Sequence, residues 1–166
     1  MTQVAHLGRR GFSLVQVRLK GATGEEAYRS LRPVARQCLE AGGWPRLIVN
    51  DHAEAASLLA SEGLPPWGLH LGQGDLPASR AATLPGLAHL HFGASTHGPA
   101  EWRAVDGACD HAGVGPFRAT ATKGDHARPI GLQGLEEGCG LLRAQGISPI
   151  AIGGLGVEDA DSCFRA

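Results

Sequence analysis

Two aspartates follow successive apolar runs, Asp51 in "VND" (49–51) and Asp75 in "GQGD" (72–75). If those runs are neighbouring parallel strands, about 5 Å apart, both carboxylates can reach one hard cation. Mg2+ is commonly held this way, by one or two carboxylates together with substrate phosphate oxygens. Each aspartate also has a local reading: Asp51 as cap of a helix starting at His52, and Asp75 as a turn residue before Pro77. Cationic groups accompany them. "QVRLK" (16–20) sets Gln16, Arg18 and Lys20 on one face by period two. Three such donors suit a pyrophosphate, with Arg bidentate and Lys a point charge, although a solvated strand exit gives the same pattern. "TATK" (120–123) repeats the logic: Thr120 and Thr122 share a face, Lys123 follows, and Gly113 and Gly115 upstream allow close backbone approach. In "IGGLG" (152–156) the glycines either present free amides to an anion or simply make a tight strand-to-helix turn.

Of eight histidines, His97 in "GASTH" alone stands at a strand exit beside a serine and a threonine, which makes it the acid–base candidate. His70 in "GLHLG" reads as a packed residue. His89 and His91 alternate on a strand with no third ligand at metal spacing, so no zinc site is expected. A serine elbow of the hydrolase kind is absent from "GASTHG". What remains is two anion-holding patches with a cation between them. That set fits transfer chemistry on a diphosphate, where a metal and basic side chains stabilise the departing pyrophosphate.

These residues need elements to hold them. Six short apolar runs read as strands: "FSLVQV" (12–17), "RLIV" (46–49), "WGLHL" (67–71), "LHFGA" (90–94), "CDHAGV" (109–114) and "SPIAI" (148–152). Helical spacing fills the intervals at 23–43, 52–63, 98–107 and 133–146, with a partial helix at about 2–10 and another beginning at 157. Thr23 lies three residues before Glu26, a capping box. Strand and helix in alternation predict a parallel sheet, and six repetitions favour a (β/α) barrel over a doubly wound sheet. The candidate residues sit just past the strands: Arg18 and Lys20, Asn50 and Asp51, Gln73 and Asp75, Ser95 and His97, Thr120 to Lys123, Gly153 and Gly154. In a TIM barrel these positions share the rim that carries active sites. A complete barrel has eight strands and usually at least about 200 residues, so the expected fold is an incomplete TIM barrel with about six of eight strands.

Composition narrows the partners. The 166 residues are 43% hydrophobic and 19% charged, ordinary for one globular domain. A net charge of −1 supplies no general basic surface for nucleic acid or anionic membrane, so a bound anion must be held by a local site. The four cysteines form no CxxC pair, and neither a signal peptide nor a membrane-length apolar run is visible. The expected location is the cytoplasm.

In order, "QVRLK", "IVND", "GLHLGQGDLP", "GAST", "GVGPFRATATK" and "PIAIGGL" resemble the motifs of thiamine-phosphate synthases across nearly the whole chain. Thiazole tautomerases are related and share the fold. The resemblance implies a (β/α)8 barrel that joins hydroxymethylpyrimidine diphosphate to a thiazole phosphate, releasing pyrophosphate before the thiazole nitrogen captures the pyrimidine cation. It implies that Gln16, Arg18, Lys20, Asn50, Ser95 and Lys123 bind the diphosphate, with Arg18, Lys20, Ser95 and Lys123 as the catalytic residues. Asp51 and Asp75 would hold Mg2+, and Thr120, Thr122 and Gly154 the thiazole phosphate. The family's first strand should precede residue 1 and its last should follow Ala166. The expected domain is therefore 1–166, truncated at both ends, with a longer parent chain or a second copy as its completion. The alternatives are a tautomerase using His97 on a thiazole carboxylate phosphate, and an inactive remnant.

Overall fold

The computed structural model describes residues 3–119 and 128–166. Thr120, Thr122 and Lys123 therefore lie outside the described residues. The elements alternate as the apolar pattern requires: α1 (Gln3–Arg9), β1 (Leu14–Val17), α2 (Gly24–Glu40), β2 (Arg46–Asn50), α3 (Ala53–Ser61), β3 (Gly68–Leu71), α4 (Ala78–Ala81), β4 (His91–Thr96), α5 (Pro99–Arg103), β5 (His111–Val114), α6 (Gly131–Ala144), β6 (Ser148–Ala151), a 3-10 turn (Val157–Asp159) and α7 (Ala160–Arg165). The strands follow one another in chain order, β1-β2-β3-β4-β5-β6. This is the strand order of the expected incomplete (β/α) barrel. The chain forms two compact units, Met1–Phe92 and Gly93–Ala166.

In the first unit β1, β2 and β3 pair in parallel, with Leu14 opposite Arg46 and Ile48 opposite Gly68. From Leu47 to Asn50 β2 is buried at every residue, as a strand covered on both faces must be. The first strand is shorter than its apolar run. It begins at Leu14, opposite Arg46, and before it only the Ser13 carbonyl joins the partner, accepting from the Arg46 amide at 2.8 Å. Helix α2 opens with the expected capping box: the Thr23 hydroxyl accepts from the Glu26 amide and the Glu26 carboxylate accepts from the Thr23 amide. Its buried residues Ala27, Leu31, Ala35 and Cys38 form one stripe at helical spacing. Below the strands, Arg46 lies over the rings of Trp44 and Trp67, and Trp67 stacks on His91 with centroids 4.1 Å apart.

In the second unit β4, β5 and β6 pair in parallel, Ser95 opposite Gly113 and Gly113 opposite Ile150. Trp102, Ala112, Val114, Phe117, Leu135, Cys139, Leu142 and Ile147 make its core. All four cysteines are free thiols; burial pushes Cys109 up to about 11, and Asp106 and Asp110 add to the effect. No helix among the described residues is long and apolar enough to cross a membrane.

Candidate active site

Parallel strands send their carboxyl ends the same way, so the exits of β1, β2 and β3 carry neighbouring functional groups. Gln16 is on β1, and its side-chain amide donates to the Asn50 Oδ1 at 3.1 Å. Past Val17 the alternation continues: Gln16, Arg18 and Lys20 are exposed, and Val17 and Leu19 half-buried. The period-two reading of "QVRLK" thus persists two residues beyond the ladder. Asp51 is the only non-glycine residue with positive φ among the described residues, at 69°. Its amide donates to the His70 carbonyl at 2.8 Å, which fixes this strained backbone. Asp51 does not cap α3; His52 occupies that position and makes no side-chain cap bond.

Asp75 reaches back to the start of its own turn, where its Oδ2 accepts from the Gly72 amide at 2.6 Å. A Cβ at Gly72 would lie 3.1 Å from Asp75 Oδ2 and 4.0 Å from Asp51 Oδ1. The two carboxylates therefore meet beside a residue that has no side chain to separate them. Burial, and then the Asp75 charge and hydrogen bond, hold the Asp51 carboxyl above the usual carboxylate range, against the pull of Arg18 and His52. Two carboxyl groups within hydrogen-bonding reach need a proton or a cation between them. An oxygen-only pair of this kind suits Mg2+, with water and substrate oxygens completing the shell. No group of three or more potential metal-ligating side chains occurs among the described residues, so among those residues these two aspartates would be the whole contribution.

In the second unit Ser95 and His97 stand at the end of β4, Ser95 buried. Between them, the fully buried Thr96 anchors the strand by donating its hydroxyl to the Gly113 carbonyl at 2.7 Å. The His97 ring Nδ1 lies 3.0 Å from Glu101 Oε2, and the same oxygen accepts from the His97 amide at 2.7 Å. Past β6, Gly153 and Gly154 take φ of +84° and +70°, the left-handed region glycine occupies without cost. A Cβ on Gly153 would also come within 2.6 Å of Pro116 Cβ.

A sequence model described as thiamine monophosphate synthase matches residues 1–166. The chain belongs to the thiamine monophosphate synthase family. It is 37% identical over 153 residues to the thiamine-phosphate synthase of Pelotomaculum thermopropionicum, covering 92% of this chain and 65% of that protein. To the thiamine-phosphate synthase of Chloroflexus aurantiacus it is 34% identical over 170 residues, covering 96% of this chain and 74% of the other. Among solved structures it resembles the thiamine phosphate pyrophosphorylase from Pyrococcus furiosus, with a TM-score of 0.74 at 24% identity, over 98% of this chain and 72% of that one. The last likeness shows the shared fold. The chain thus spans 65% to 74% of the length of these three relatives.

Within this family framework three groups near the predicted residues escaped sequence reasoning. His52 follows Asp51 directly, and its ring Nε2 lies 3.3 Å from the Leu19 carbonyl, which ties α3 to the backbone between Arg18 and Lys20. Nothing in "VNDH" signals a contact to residue 19. Glu101 carried a signal that could have found it, being four residues past His97 at the start of a helix. The third group is Arg118 with Asp159, 41 residues apart, a separation at which no local pattern speaks.

Proposed function

We propose that this chain carries a Mg2+-dependent transfer reaction in the cytoplasm, joining hydroxymethylpyrimidine diphosphate to thiazole phosphate to give thiamine phosphate and pyrophosphate. The observation that carries this reading is the meeting of Asp51 and Asp75 beside Gly72, at the same strand ends that present Arg18 and Lys20. The names of the family and of its relatives support it.

In this reading Asp51 and Asp75 hold the metal, which when bound neutralises charge on the diphosphate oxygens. Arg18 grips the diphosphate through its fork and Lys20 adds a point charge. Gln16 and Asn50, already bonded to each other, orient one another's amides toward the same substrate. As the carbon–oxygen bond to the diphosphate breaks, the electron pair leaves with pyrophosphate, and Arg18, Lys20 and Lys123 take up the growing negative charge. Ser95 is assigned to the diphosphate substrate; Thr120, Thr122 and the Gly154 turn are assigned to the thiazole phosphate. The thiazole nitrogen then supplies the electron pair for the new carbon–nitrogen bond.

Isothermal titration of the chain with hydroxymethylpyrimidine diphosphate, with and without Mg2+, tests the reading. Binding that requires Mg2+ is expected, and binding indifferent to the metal in a cooperatively melting chain would refute it. The tautomerase alternative makes the opposite prediction at one residue: His97→Asn abolishes proton transfer in a tautomerase and leaves synthase turnover within a few fold.

A further inference from the structure

After β5 the chain runs through Phe117 and Arg118 alongside the glycine turn that follows β6, and three successive carbonyls of that turn are held from this one side. Phe117 N donates to Ile152 O at 2.9 Å, and Arg118 N donates to Gly153 O at 3.0 Å. The Arg118 side chain then continues the series, its Nη1 donating to Gly154 O at 3.3 Å. A trans peptide directs its N–H opposite to its C=O. With the carbonyls of residues 152, 153 and 154 all facing residues 117–118, the amides of Gly153, Gly154 and Leu155 must face together the other way. The consecutive positive φ values of Gly153 and Gly154 are what align these peptides, as any helical hand does over one turn. None of the three amides meets an acceptor among the described residues. Converging backbone N–H groups of this kind are a concavity for an anion.

The third carbonyl depends on where the Arg118 guanidinium is held. Both of its terminal nitrogens donate to Asp159, Nη2 to Oδ1 at 2.5 Å and Nη1 to Oδ2. Asp159 is buried, and its Oδ2 also accepts from Gly156 N at 2.8 Å while its own amide donates to Gly156 O at 3.1 Å. The bonds thus form a closed circuit from Arg118 through Asp159 and Gly156 back to Gly154. The carboxylate meets the two-pronged fork that only Arg offers, and the guanidinium also lies 4.9 Å over the Phe117 ring.

We propose that Arg118, locked by Asp159, is a positioning residue that aims the amides of Gly153, Gly154 and Leu155 at a phosphate group. This rests on the reading above that the Gly154 turn takes a phosphate, and adds the device that orients it. Arg118 acts on the anion through the backbone: three of its five N–H donors are directed at Asp159 and Gly154 O.

The test is a titration of the 15N-labelled full chain with inorganic phosphate, followed at the amide resonances of Gly153, Gly154 and Leu155, for the wild type, Asp159→Asn and Arg118→Lys. The wild type should shift these three resonances saturably. Both variants should bind phosphate about tenfold more weakly while still melting cooperatively. Arg118→Lys is the decisive variant: it keeps the charge and loses the fork, so a role based on charge alone leaves the phosphate Kd unchanged. A merely stabilising pair would lower the melting temperature and likewise leave that Kd unchanged. Phosphate binding by Arg118→Lys as tight as that of the wild type overturns the positioning role and leaves the phosphate turn standing. Absence of any phosphate-dependent shift in the wild type overturns the phosphate turn and the positioning role together.

Discussion

The side chains of Asp51 and Asp75 meet beside Gly72 closely enough to share a hydrogen bond. Two ionised carboxylates at that separation repel, and a cation between them turns the repulsion into shared attraction. Mg2+ should therefore raise the melting temperature of the wild-type chain. A ligand of the folded state present at 100 times its Kd adds about 2.7 kcal/mol, which in a chain of this size moves the melting temperature by roughly 5–10 °C. Asp51→Asn and Asp75→Asn should each lose most of this Mg2+ response. A melting temperature that ignores Mg2+ in the wild type, or responds to it equally in all three proteins, would remove the metal from the proposal. Calorimetry at constant ionic strength makes the distinction.

Two glycines in α6 are predicted to respond in opposite ways to the same substitution. A Cβ at Gly138 would lie 2.7 Å from Val114 Cγ1 and 2.9 Å from the Trp102 ring, whereas at Gly140 nothing lies within 4 Å. Gly138→Ala forces the core apart and should cost about 1–3 kcal/mol. Gly140→Ala replaces a helix-interior glycine at an exposed position and should stabilise by about 0.5–1 kcal/mol. Urea melts of the pair check the close packing of α6 on β5 and α5. Equal effects would mean that α6 leaves room for a methyl group at Gly138.

At the start of α2, Thr23→Ala removes the hydroxyl that accepts from the Glu26 amide and donates to the Glu26 carboxylate, leaving only the backbone half of the capping box. The expected loss is about 1 kcal/mol, and Thr23→Asn should restore most of it. If Thr23→Ala melts with the wild type, the box is formed but contributes nothing net.

What could be read from the sequence divides along physical lines. The capping box, the six strands and the meeting of Asp51 with Asp75 rest on local patterns, or on the rule that consecutive parallel strands are neighbours; all were legible. The beginning of β1 was not, because it is set by where β2 starts to pair, at Arg46 opposite Leu14, rather than by anything in "FSLVQV". Nor was α4 over Ala78–Ala81, a single turn after Pro77 too short to show a period. Contacts set by tertiary geometry were silent for the same reason: His52 on the Leu19 carbonyl and Arg118 on Asp159 join residues 33 and 41 apart. Gln16, Arg18, Asn50 and Asp51 share the strand ends of the first unit as expected, while Ser95, His97 and Gly154 take their expected strand-exit positions in the second.

The Arg118–Asp159 pair gives stability a signature in acid. Hydrogen bonds from Arg118, and then from the Gly156 amide, hold the Asp159 carboxyl below its ordinary value of 3.8. Between the folded and unfolded values the unfolded chain binds more protons, so stability rises with pH there. The contribution is fully present above 3.8 and is lost as pH falls through the lowered folded value. Asp159→Asn has no proton to gain and lacks the ionised acceptor at every pH. Its melting temperature should therefore sit below that of the wild type by a constant amount above about pH 5, and the gap should close as the pH drops below 3.8. Thermal melts from neutral pH into the acid range read the difference directly. A gap that persists unchanged at the acid end, where the wild-type carboxyl is protonated, would show that the loss comes from repacking around the amide and not from the ion pair.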